Sequence, residues 1–139
     1  MEERYRIGAT ESVAVAVIRH EGRPEGYPQW TTAIGLVGGE ATVSVPGHYA
    51  AVLAGRLRVA AGGLRRPSRD EYLDLTPVVR DGESALVLSS TARSPVRVSV
   101  ELPVDELEPL VVLLDAAAEL IETLRPGIGI VPDRLPDLL

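Results

Sequence analysis

A chain of 139 residues that is 45% hydrophobic and 24% charged has the size and composition of one globular domain, and it is too apolar to be disordered throughout. It contains no cysteine, which excludes disulfides, thiolate catalysis and cysteine-ligated metal sites. Its net charge of −6 opposes nonspecific binding to nucleic acid or to an anionic membrane surface, so neither is an expected partner.

The opening MEERYRIGATES carries early acids and no apolar segment of the kind a secretory signal needs. The most apolar stretch, LEPLVVLLDAAAELIETL, is interrupted by Asp115, Glu119 and Glu122 and is too polar to span a bilayer. A cytoplasmic protein is expected. The basic residues are arginines and two histidines, with no Lys, Asn or Phe, a usage that points to a GC-rich coding sequence and a bacterial source. Without Phe, the core has to be built from Val, Leu, Ile and Ala around Trp30 and the tyrosines.

Taken in chain order, SVAVAVIR (12–19) alternates Val13, Val15 and Val17 with Ala14, Ala16 and Ile18, so both faces are apolar and a central strand buried on both sides is predicted. HEGRPEGYP then reads as a loop, punctuated by Gly and Pro. QWTTAIGLV and EATVSV follow as strands around Gly38–Gly39. Paired glycines can cradle a phosphate, but such a loop leads from a strand into a helix, and neither G-x-x-x-x-G-K-[ST] nor G-x-G-x-x-G is present. Here the glycines lead into a second strand, which predicts a tight hairpin.

PGHYAAVLAGRLRVAAGG has helical spacing, with Tyr49, Val52, Leu53, Leu57 and Ala60 on one face and Gly62–Gly63 as the stop. Gly55 inside it costs about 1 kcal/mol relative to Ala. LRRPSRDE is a polar connector. YLDLTPVV, ESALVLSST and PVRVSVEL are three further strands, the first two joined by Asp81–Gly82, a strong hairpin signal, and the last two by ARSP. In the third, Val96, Val98, Val100 and Leu102 oppose Arg97, Ser99 and Glu101, so one face of this sheet is expected to be wet.

The last helix is predicted to start from a capping box of Asp105 with Glu108, with Pro109 in its first turn. Leu107, Leu110, Val111, Leu114, Ala118 and Ile121 form its apolar stripe, widened by Leu113, Ala117 and Leu120, and Arg125-Pro126-Gly127 stops it. A face this wide implies contact on two sides, with the same chain or with another copy. ATVSVPGHYAAVLAGRL and VRVSVELPVDELEPLVVLL share the rhythm strand, proline, amphipathic helix. The expected fold is α+β: an antiparallel sheet of five to six strands with two helices packed mainly on one face, in βββα-βββα order. Residues 1–127 are expected to form that domain, and 128–139 a Pro-containing tail that caps a sheet edge or docks on a partner.

Chemistry is sparse. His20, beside Glu21, and His48 form an acid/base pair or two metal ligands on one reading, but a metal site needs a third ligand and H-E-x-x-H is absent. Surface or capping histidines are preferred, with no metal and no cofactor. G-x-S-x-G is absent, and Ser89-Ser90-Thr91 reads as turn chemistry. Of the paired carboxylates, Glu106 and Glu108 are assigned to helix capping and Asp70–Glu71 to solvated charge. Residues 55–69 carry Arg56, Arg58, Arg65, Arg66 and Arg69 without an acid. That cluster is either a solvated helix end favoured by the dipole or a site for phosphate or an acidic protein surface. Trp30, near Tyr27, is a core anchor or an exposed hot spot.

The functional expectation is a non-catalytic protein-binding module, of the adaptor, chaperone or immunity-inhibitor kind, acting as a homo-oligomer through its long helix or a sheet edge. Its binding residues are drawn from Tyr27, Trp30, Arg56, Arg65, Arg66, Arg69, His20 and His48. The alternative is a small enzyme or ligand-binding protein with a pocket near His20, His48 and the Arg65–Arg69 loop.

Overall fold

The computed structural model describes residues 2–22, 29–91 and 98–124. In the first half, β1 (Glu2–Ala9), β2 (Ala14–Gly22), β3 (Gln29–Gly38) and β4 (Ala41–Pro46) lead through a 3-10 turn (Gly47–Tyr49) into α1 (Ala50–Ala61). The second half repeats the plan, with β5 (Ser68–Arg69), β6 (Leu73–Arg80), β7 (Glu83–Ser90), β8 (Ser99–Pro103), a 3-10 turn (Val104–Glu106) and α2 (Leu107–Leu124). Each half forms its own antiparallel four-stranded sheet, sheet A in the order β1-β2-β3-β4 and sheet B in the order β5-β6-β7-β8. The α+β class therefore stands, but the expected single sheet of five to six strands is replaced by two sheets, and the repeated unit is ββββα.

The two extra strands have weak patterns for physical reasons. β1 is an edge strand of alternating charged and half-buried residues, interrupted by a bulge between Arg6 and Gly8. β5 is two residues long, paired with Leu75 and Asp74 inside the polar connector. The loop 23–28, the ARSP turn and everything after Leu124, including the helix stop and the tail, lie outside the described residues.

The hairpin at the paired glycines forms, one residue later than expected. Gly39 alone has a positive φ, +60°, and Glu40 completes a two-residue turn of the II′ kind, which needs glycine only at its first position. Gly38 belongs to β3, where a Cβ would stand 3.1 Å from Val100 Cγ1 of sheet B. One glycine turns the chain and the other admits the second sheet. At the β6–β7 hairpin both Asp81 (φ 52°) and Gly82 (φ 80°) are positive, as a I′ turn requires.

The core lies between the inward rows of the two sheets and the two helices. Val13, just before β2, and Val15 and Val17 of β2, with Ile34, Leu36, Val43 and Val45, face Leu75, Leu86, Leu88, Val100 and Leu102. Each such side chain, fully buried, contributes about 1.5–3 kcal/mol. β2 is not buried on both sides, however: Val15 and Val17 are 0% exposed, while Ala14, Ala16 and Ile18 on its other face are only half-buried and take no part in the core. α1 buries Ala50, Leu53, Ala54, Leu57 and Ala60, and Val52, expected on that face, is 52% exposed. Helix α1 packs directly on α2, so alanines occupy the close positions and the valine is turned outward.

α2 buries Leu107, Leu110, Val111, Leu114, Ala117 and Ile121 against α1 and against β1 and β2. Both helices are entered alike, with Pro46 (φ −60°, ψ 149°) and Pro103 (φ −61°, ψ 152°) capping their 3-10 turns. The expected capping box is replaced by this entry: Asp105 lies within the turn, and the carboxylate that is used belongs to Glu106. Glu106 is 8% exposed and accepts the Ser12 amide at 2.8 Å and the Ser12 hydroxyl at 2.7 Å, tying the β1–β2 loop to the start of α2. Burial alone would raise its carboxyl, but the Thr10 and Ser12 hydroxyls and the Ser12 amide hold it below the ordinary range. Among the described residues no helix is long and apolar enough to cross a membrane.

Candidate functional site

The densest polar cluster joins α1 to the β5–β6 connector. Tyr49 and Arg56 are seven residues apart and so share a helix face. Arg56 donates to the Tyr49 hydroxyl at 2.7 Å, the Leu73 carbonyl at 3.0 Å, and the Ser68 carbonyl and hydroxyl at 2.9 Å. It also pairs with Asp70 at 3.1 Å. Asp70 accepts the Tyr49 hydroxyl through one oxygen, and through the other the amides of Tyr72 at 2.9 Å and Leu73 at 3.0 Å. Burial, reinforced by the Asp70 contact, pushes the Tyr49 phenol up to about 12, so it stays protonated at neutral pH. Burial would raise Asp70, but its donors and Arg56 hold it below the ordinary carboxylate range. These groups spend their bonds on one another and on the main chain, which makes the cluster a brace.

Beside it, His48 is exposed, with its Nε2 3.3 Å from the Tyr72 hydroxyl, and the Tyr72 ring stands edge-on to His48 and to Tyr49. Arg69 grips Asp74 through two bonds, at 2.7 and 3.0 Å. His48, Arg56 and Arg69 are thus brought to one region. His20 is exposed on β2, in register with Glu2 and Thr31. Arg65 and Arg66 are exposed on the connector, Arg65 at the mouth of an apolar groove of about 420 Å³ lined by Leu64, Pro77, Val79, Leu86 and Leu107. Trp30 is placed by its position in β3 opposite Glu21, and Tyr27 lies outside the described residues. Among the described residues, no three His, Asp or Glu side chains gather where a metal could sit.

Sequence reasoning missed Tyr49, Ser68, Asp70 and Tyr72 as members of the cluster. The seven-residue spacing of Tyr49 and Arg56 was a usable signal. Asp70 followed by two residues whose amides it accepts was another, because aspartate favours such local turns.

The outward faces of the sheets form the other candidate. On sheet B that face carries Asp74, Thr76, Ser89, Ser99 and Glu101 together with the apolar Val78, Ala85, Val87 and Pro103, with Arg69 paired to Asp74 and Arg80 to Glu101. On sheet A the central strands present Ala14, Ala16, Ile18, Ala33, Gly35 and Val37, with Arg4 and Arg6 on β1 and Thr42, Ser44 and Pro46 on β4. Among the described residues nothing covers this apolar centre; both helices lie on the opposite side of the sheet.

No family model and no curated protein matches the chain. Among solved structures it is similar to SsgB, a protein whose mutations correlate to longitudinal cell division during sporulation of Streptomyces coelicolor. The identity is 15%, the TM-score 0.39, and the match covers 84% of this chain and 88% of that one.

Proposed function

We propose that the protein is a non-catalytic protein-binding module that docks through the outer face of sheet A onto a protein presenting a low, apolar face of its own. One observation carries the reading: β2 is apolar on both sides, yet only its valine row enters the core. On sheet B the outward apolar residues Val78, Ala85 and Val87 are interleaved with Asp74, Thr76, Ser89 and Glu101 and flanked by two ion pairs, whereas the outward rungs Ala14–Val37, Ala16–Gly35 and Ile18–Ala33 of sheet A carry no polar side chain. Contiguous apolar surface rimmed by polar residues marks interaction sites. The brace around Arg56 supports a non-catalytic role, since its acid, phenol and guanidinium are engaged with one another.

Affinity capture from the encoding organism tests this. Wild-type protein is compared with Ala16→Glu, on the outer face of sheet A, and Thr76→Glu, on that of sheet B, and captured proteins are purified and titrated. The expected result is a partner captured by the wild type whose binding is lost with Ala16→Glu and kept with Thr76→Glu. Equal behaviour of the two variants overturns the docking surface, and a turnover abolished by Tyr49→Phe overturns the non-catalytic assignment.

A further inference from the structure

We infer that the partner of this face is a second copy of the same chain; the inference rests on the protein-binding reading and names its occupant. β2 and β3 set their outward side chains on three rungs, Ala14 with Val37, Ala16 with Gly35, and Ile18 with Ala33. The two large side chains stand at diagonal corners, and the other four positions are Ala or Gly. The middle rung is a floor: a Cβ at Gly35 would only just meet Ile18 Cδ1 and Thr42 Cγ2, each at 3.7 Å.

Diagonal placement makes the patch complementary to itself. A second copy turned about a two-fold axis parallel to the strands, and midway between the faces, lays β2 over β3. Ile18 then falls on the partner copy's Ala33 position, Val37 on its Ala14 position, and Ala16 on its Gly35 position. An axis across the strands also sets large on small, but it lays Arg6 over Arg6. The parallel axis instead places β1 over β4, so Arg4 and Arg6 meet Pro46 and Ser44, which are uncharged. Like charges directly opposed are unfavourable, so the rim selects the parallel axis.

Area sets the strength. Four strands about 4.8 Å apart and about six residues long present roughly 19 by 20 Å per copy. Two such faces total about 760 Å², below the size of stable specific interfaces and within the range of weak, reversible encounters only. Association is therefore expected at micromolar concentrations rather than as an obligate dimer.

Sedimentation equilibrium between about 1 and 500 µM reads this directly. Wild type and Thr76→Glu are expected to approach a doubled mass, while Ala16→Glu and Ile18→Glu stay monomeric with wild-type circular dichroism. The axis is read by disulfide trapping, which has no background because the chain lacks cysteine. Mixing Ala16→Cys chains with Gly35→Cys chains should yield mixed dimers in excess of the random proportion. A wild type that is monomeric throughout overturns the proposal, and so does a dimer indifferent to Ala16→Glu. If a different captured protein is still lost with Ala16→Glu, the binding surface stands and only its occupant is wrong.

Discussion

Sheets A and B are built to one plan and finished differently. Each has four antiparallel strands, a tight hairpin between long strands, and a proline-capped 3-10 turn into a helix. Their inward rows are interchangeable in kind, mostly Val in one and mostly Leu in the other, because both answer to the same core. Their outward rows are not. Sheet B sets its outward Val78, Ala85 and Val87 among charged residues, with the ion pairs Arg69–Asp74 and Arg80–Glu101, whereas the three central outward rungs of sheet A are Ala, Gly, Ile and Val alone. Folding constrains the inward rows alike, so the outward difference reports what each sheet meets outside its own core.

The largest expected effect tests that distinction within one strand. Val17 and Ala16 are neighbours, but Val17 is fully buried and Ala16 faces outward. Val17→Asp places an unpaired charge in the core and should cost more than about 4 kcal/mol, enough to unfold a marginal domain. Ala16→Asp should cost about 1 kcal/mol or less in urea melts and act on association instead. Similar losses for both would mean that the two faces of β2 are not different environments.

A smaller loss is expected where the halves are joined. Arg56 belongs to the first half and holds Ser68, Asp70 and Leu73 of the second. Arg56→Met removes the charge partner of Asp70 and one donor from each of the Ser68 and Leu73 carbonyls, and should cost about 2 kcal/mol in a thermal or urea melt, discounted because Asp70 is partly solvated and keeps its other donors. Tyr49→Phe removes one donor from the same carboxylate and should cost about 1 kcal/mol. If Arg56→Met melts like wild type, the cluster is decoration and the halves are held by apolar packing alone.

What could be read beforehand follows the range of the interactions involved. Asp81–Gly82 announced its turn because two positive φ values are affordable there for few other residue pairs. The strand-proline-helix repeat was visible because each unit is local. The division into two sheets was not, since alternation tells which way a side chain points and not which strand lies alongside. β1 was hidden by its charges, as an edge strand's pattern often is. The double apolarity of β2 was legible, but which row enters the core depends on where the helices lie. Asp70 was read as solvated and Glu106 as a capping residue, although one sits against Arg56 and the other binds a loop 94 residues away.

That long-range bond supplies the smallest and most specific effect. Glu106 of the second half accepts the Ser12 amide and hydroxyl of the first, so Glu106→Gln keeps the shape and removes the charge. A hydrogen bond to a charged acceptor exceeds a neutral one by about 1 kcal/mol, the expected loss at neutral pH. The carboxyl is held below its ordinary value of 4.5 in the fold, so the unfolded chain takes up the proton first as pH falls. The contribution is therefore complete above that value and disappears as pH drops through the lower, folded one. Urea midpoints of wild type and Glu106→Gln should differ near pH 7 and converge in acid. The Asp70 contribution, lost over the same direction of pH, is common to both proteins and cancels in the difference. A gap that persists unchanged into acid would show that shape, not charge, joins α2 to the β1–β2 loop.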